Sequence, residues 1–244
     1  MGQIVPSSNT TMETEIPAML RARELVQPER FTFHSSRMRM KHVTKDELAA
    51  MDAESDRCTR ELSDARLDVI GYACLVAIMS MGHGYHRESQ QRLTAIAQES
   101  GGSTAVINSA GALVDGLNVI GAKRIAVVTP YMKPLTALVV GYLANEGFDV
   151  VDQVSLEIQD NLAVGAHDPA RLPGIVAGMN TADCDAIVLS ACVQMPSLSA
   201  IAHVEAMARK PVITAAAATT YAILKQLDLA PTVPGAGTLL SGAY

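Results

Sequence analysis

The chain has 244 residues, 49% apolar and 18% charged, with a formal net charge of −6. This length holds one large domain or two small ones with a sizeable core, and the low polarity excludes a disordered chain. The acidic balance and scattered Lys and Arg exclude the basic footprint of a nucleic-acid binder, while uncharged stretches such as 71–82 fall short of the roughly 18 apolar residues a membrane span needs.

The start, Met1-Gly2-Gln3-Ile4-Val5-Pro6, has neither the basic onset nor the apolar run of a signal peptide, and Pro6 stands where a myristoylation signal needs Ser or Thr. Strands are expected over 3–6 and 30–35, then a helix over 44–65, where Thr44 caps and Glu47 can reach back to it. A strand over 68–73 precedes a helix over 87–99 that stops at Gly101-Gly102, and a strand over 104–108 precedes a helix over 109–119 that stops before Gly121. The second half repeats the rhythm: strand 124–129, helix 134–145 before Gly147, strands 149–157 and 186–191, helix 197–208 after Pro196, strand 211–214 and helix 219–227. Several strands are continuous apolar runs, as in a sheet covered on both faces, and the alternation predicts parallel sheets joined by right-handed crossovers.

The chain carries an internal duplication. Ile4-Val5-Pro6-Ser7 matches Val127-Val128-Thr129-Pro130, and Asp68-Val69-Ile70 with Ala73-Cys74 matches Asp185-Ala186-Ile187 with Ala191-Cys192. Asn9 to Cys74 is 74 − 9 = 65 positions and Tyr131 to Cys192 is 192 − 131 = 61. The fold expected is therefore α/β, two similar doubly wound parallel-sheet halves, each with a cysteine at the carboxyl end of a strand. Ligands bind at that end of open α/β sheets, so the two thiols are expected to face one cleft.

Each thiol taken singly reads as a small buried hydrophobe; the matched placement singles out Cys74 and Cys192. Cys58, within a helix, and Cys184, before a strand, are assigned to structure. With no Cys-x-x-Cys spacing among the four cysteines, free thiols and a reducing, cytoplasmic setting are expected. A thiol at a strand end meets backbone N–H groups of the next helix, which lower its pKa and also hold an anion. The turn Val5-Pro6-Ser7-Ser8-Asn9-Thr10-Thr11 suits a helix cap or an oxygen-rich ligand, and its counterpart places the Tyr131 hydroxyl for a carboxylate. Asn161 offers an amide donor or a plain turn residue. The run Arg37–His42 reads as a solvated loop; His83 and His86 lack further ligands at metal spacing, and Gly235-Ala236-Gly237 has no helix behind it. No metal and no cofactor are expected.

Val5-Pro6-Ser7-Ser8-Asn9-Thr10-Thr11-Met12-Glu13-Thr14-Glu15, Gly71-Tyr72-Ala73-Cys74 and Leu189-Ser190-Ala191-Cys192 together resemble the maleate cis–trans isomerases of the aspartate/glutamate racemase superfamily. The likeness runs over essentially the whole chain, including Asn161 and Pro234-Gly235-Ala236-Gly237. It implies a pseudo-twofold pair of α/β domains with the active site between them, and usually a homodimer. The division implied is 1–115, rejoined by 215–244, and 116–214. The resemblance also implies Cys74 as nucleophile, Cys192 as proton donor and acceptor, and Asn9, Tyr131 and Asn161 as holders of the substrate carboxylates.

The chemistry of such a reaction is constrained. A peptide bond, only partly double, resists rotation by about 18–20 kcal/mol, so a full double bond must be opened before it can turn. Addition of a thiolate to one alkene carbon and a proton to the other gives a succinyl-thioether with a single bond in the middle. Two rival functions fit the same features: a two-cysteine aspartate/glutamate-type racemase, in which one thiolate removes an α-proton and the other returns it, and a non-catalytic dicarboxylate-binding protein. Arylmalonate decarboxylases keep only the second-half cysteine, so Cys74 argues against that activity.

Overall fold

A computed structural model of the chain describes residues 1–101 and 104–244. In order the elements are β1 (Gly2–Pro6), α1 (Met12–Arg23), β2 (His34–Met38), α2 (Lys45–Ser63), β3 (Val69–Tyr72), α3 (Leu75–Ser80), α4 (Tyr85–Glu99), β4 (Ala105–Asn108) and α5 (Ser109–Val119). The second half continues with β5 (Arg124–Thr129), α6 (Lys133–Asn145), β6 (Asp149–Ser155), α7 (Asn161–Gly165), α8 (Leu172–Ala177), β7 (Ala186–Ser190), α9 (Ile201–Ala208), β8 (Val212–Thr214) and α10 (Ala215–Gln226).

Two four-stranded sheets result, ordered β2-β1-β3-β4 and β6-β5-β7-β8. Every pairing within them is parallel. The orders are the same, so the duplication read in the sequence is a duplication of topology. One hydrogen bond repeats as well: Ala73 N–H donates to Ile4 O (3.0 Å) and Ala191 N–H to Val128 O (3.1 Å). These bonds fix where each cysteine-bearing strand leaves its sheet, and they pair Ile4 with Val128, one residue beyond the sequence match.

The inner strands β1, β3 and β7 are buried throughout and β5 is buried beyond Arg124, because helices cover both faces and apolar side chains are required on each. The edge strand β2, His34-Ser35-Ser36-Arg37-Met38, buries only Ser36 and Met38. It starts four residues later than the expected 30–35, where Phe31 and Phe33 supply the apolar signal. The helix α1 is an addition to the expected set, with Pro17 inside it.

Thr44 caps α2 as expected, its Oγ1 accepting from Glu47 N–H at 3.3 Å. The Glu47 carboxylate turns elsewhere, accepting from Lys41 N–H and His42 N–H, both at 2.8 Å. Gly121 and Gly147 stop their helices at positive φ, +74° and +93°, where a side chain would be strained. Of the other expected stop, Gly102 lies outside the described residues.

The helices α5 and α10 pack on each other and touch both β4 and β8, joining the sheets; α10 also packs on α1 and β3. No helix of the described residues is long and apolar enough to cross a membrane.

Candidate active site

The strands' carboxyl ends meet at a small cleft lined by Asn9, Cys74, Tyr131, Asn161 and Cys192, together with Gln194. All five residues singled out in the sequence are therefore brought to one cavity. Cys58 and Cys184 are buried elsewhere, and none of the four cysteines is paired. The run Arg37–His42 is more than a solvated loop. Arg37 donates to the Asn9 carbonyl and pairs with Glu13, while Met40 forms part of the cavity wall.

Asn9 serves both readings of its turn. Its Oδ1 accepts from Thr11 N–H and Met12 N–H, each at 2.9 Å, and so starts α1. That orientation leaves Nδ2 with no protein acceptor among the described residues, as a donor for the cavity. Asn161 opens α7, which Asp160 caps by accepting from Leu162 N–H at 3.1 Å. Its own Nδ2 donates to Ser8 Oγ at 2.8 Å. The Tyr131 hydroxyl donates to the Ala191 carbonyl at 3.2 Å and lies beside the Cys192 sulfur.

The two thiols differ in surroundings. Burial pushes the Cys74 thiol up to about 12, with smaller upward influences from Cys192 and Asp52; the backbone N–H groups of Ala77 and Val76, at the start of α3, pull the other way. Burial also raises Cys192, and there the Tyr131 hydroxyl and the backbone N–H groups of Gln194 and Met195 all favour the thiolate. The lowering expected from helix N–H groups is thus present, but desolvation outweighs it. Below Cys74, Asp52 accepts from Tyr72 Oη (2.8 Å), Tyr85 Oη (2.6 Å) and Arg92 Nη2 (3.0 Å). This network pins the end of β3 from behind.

Sequence reasoning missed Gln194, which touches both halves of the molecule. Its only signal is its place two residues after Cys192. His86 Nδ1 and Tyr142 Oη are hydrogen-bonded to each other at 2.5 Å, away from the cleft. Among the described residues, no cluster of His, Cys, Asp and Glu is set to hold a metal ion.

Two sheets of one order, each delivering a thiol from a strand end to a shared cleft, define a two-lobed α/β class with paired cysteines. A family profile described as arylmalonate decarboxylase matches residues 1–240. A maleate isomerase of Pseudomonas putida (strain KT2440) is 70% identical over 244 residues, covering 100% of this chain and 98% of that protein. Among solved structures, a cysteine-to-alanine variant of the maleate isomerase Iso from Pseudomonas putida S16, crystallised with maleate, is similar with a TM-score of 0.99 and 71% identity, covering 100% of this chain and 97% of that one. A cysteine-to-serine variant of the Nocardia farcinica maleate cis–trans isomerase, carrying a covalently bound succinylcysteine intermediate, has a TM-score of 0.95 and 44% identity, with 100% and 98% covered. The chain belongs to the maleate isomerase family, within the wider group that the arylmalonate decarboxylase profile describes.

Proposed function

We propose that this protein isomerises maleate to fumarate through a succinyl thioether on Cys74. The observation that carries the reading is the pair of thiols, one from each half, lining a cleft that also holds three side chains able to donate to carboxylates. In the proposed sequence Cys74 gives its proton to solvent before maleate binds, which leaves a basic sulfur in a buried site. Nucleophilicity of a thiolate rises with its basicity, so burial favours attack once ionisation has occurred.

The sulfur bonds to one alkene carbon, and the π electrons move to the other carbon and its carboxylate. The Asn9 and Asn161 amides and the Tyr131 hydroxyl meet that charge. Cys192 then gives its proton to the carbanion and becomes a thiolate, which the Gln194 N–H, 3.4 Å from the sulfur, supports. The central bond is now single and turns. Cys192 takes the same proton back, the electrons re-form the double bond, and the Cys74 thiolate leaves with fumarate released. No atom or electron is gained or lost.

The expected division into 1–115 with 215–244 and 116–214 belongs to the same reading. The packing of α10 on α1, β3 and β4 supports the return of the last segment, while α5 (Ser109–Val119) runs through the changeover. A homodimer follows from the family resemblance, and a cytoplasmic setting accords with four unpaired thiols; light scattering on the purified chain tests the first.

A proton NMR time course with maleate in deuterated water tests the function. The expected result is the fumarate singlet growing as maleate declines. α-Deuteration of L-aspartate without any fumarate would point to the racemase, and binding without conversion would leave a dicarboxylate-binding protein.

A further inference from the structure

Gln194 is 3% exposed and lies in the loop that leads from Cys192 toward α9. Its backbone N–H donates to Cys192 Sγ at 3.4 Å. Its side chain reaches across the cleft to the first half: Oε1 accepts from Thr10 N–H at 2.8 Å and Nε2 donates to Ser8 O at 3.1 Å. The second Nε2 hydrogen goes to Asn161 O at 2.8 Å. Ser8 and Thr10 flank Asn9, so one amide bonds to both neighbours of one candidate binding residue and to the main chain of another. The residue that carries it also donates to one of the two thiols.

The neighbouring backbone is shaped around this amide. A Cβ added at Gly165, the last residue of α7, would stand 2.6 Å from Gln194 Nε2 and 2.5 Å from Thr10 Oγ1. These separations are far below van der Waals contact, so even Ala at 165 must push on both. The amide is also the group the place calls for. Its partners are one N–H and two carbonyls, and a neutral amide satisfies all three, whereas a carboxylate would set negative oxygens against the Ser8 and Asn161 carbonyls.

We propose that Gln194 is a positioning residue for the isomerisation, a clasp that sets the turn bearing Asn9 and the helix start bearing Asn161 in register with Cys192 across the two halves. The inference rests on the function proposed above. The donors and thiols act only if held at the right separation, and a misplacement of about 1 Å can cost about 100-fold in rate.

The test is steady-state conversion of maleate by the full chain carrying Gln194→Met, Gln194→Glu or Gly165→Ala, each with its thermal melt. Gln194→Met keeps the bulk and removes the hydrogen bonds; kcat/KM is expected to fall about 100-fold, with KM raised as well as kcat lowered. A merely structural loss reduces the folded fraction and therefore kcat, and leaves KM unchanged. Gln194→Glu supplies a second signature. Protonated, its carboxyl offers one O–H and one carbonyl, so its activity relative to wild type is expected to rise as pH falls through the carboxyl range.

Should Gln194→Met fail to fold, Gln194→Glu and Gly165→Ala decide, the latter with raised KM expected. Unchanged KM in the folded variants, or a flat ratio of Gln194→Glu to wild type across pH, overturns the clasp while the function stands. A wild type that forms no fumarate overturns both.

Discussion

Cys74 and Cys192 occupy equivalent places in two sheets of identical order, yet their environments diverge. Cys74 leads at once into α3, whose first turn gives it two backbone N–H groups, and it sits above the Asp52 carboxylate and beside the other thiol. Cys192 leads into a loop instead, where the Gln194 N–H donates to its sulfur at 3.4 Å and the Tyr131 hydroxyl lies close by. Duplication thus delivers two thiols to one cleft, and the unlike segments beyond the two strands, a helix in one half and a loop in the other, make them unequal. A sulfur kept basic by burial and nearby negative charge is suited to form a carbon–sulfur bond. A sulfur with a donor set on its thiolate is suited to pass a proton to carbon and take it back.

The largest expected effect comes from erasing one side of this contrast. Cys74→Ala should leave no measurable fumarate formation by NMR, because the double bond then has no nucleophile to open it. Next in size is Tyr131→Phe, which removes the hydroxyl proposed to turn toward the developing charge. A fall of about 100-fold in kcat is expected, typical of losing one preorganised donor, measured against a KM change that stays smaller.

A third effect reads the Cys74 side directly. Iodoacetamide labelling of Cys74 in the substrate-free protein, with peptide mass spectrometry as the readout, should rise steadily with pH and show no plateau near neutrality, since the thiol is held up to about 12. The linked stability runs in one direction only. The folded state holds that proton more tightly than an ordinary thiol does, so this contribution is complete below the ordinary thiol pKa and is lost as pH climbs toward about 12. Smallest is Asp52→Asn, which removes one upward influence on Cys74 and should move the labelling curve to lower pH. It should also cost about 1–3 kcal/mol in denaturant melts, because Tyr72, Tyr85 and Arg92 lose part of a charged acceptor.

The parts of the molecule legible in the sequence are those whose signal is local or repeated. The apolar runs of β3 and β7 declare strands covered on both faces, and the paired Ala-Cys endings declare the duplication. Other parts depend on tertiary context. The edge strand β2 has little apolar content of its own, so Phe31 and Phe33 draw attention to the wrong stretch. Pro17 hides α1, and the five residues of α7 are too few to show a helical period. Gln194 carries no local pattern, because two of its side-chain partners, Ser8 and Thr10, lie 186 and 184 positions away. The thiol environments are half legible: the helix-start N–H groups come with position, whereas the dominance of burial depends on tertiary packing around the cleft.

Mass spectrometry of Cys192→Ser incubated with maleate and then digested tests the division of labour between the thiols most directly. The expected result is a peptide containing Cys74 heavier by one maleic acid, accumulating because the return of the proton is crippled. Persistent absence of that adduct, or its appearance on any cysteine other than Cys74, would contradict the assignment of Cys74 as nucleophile.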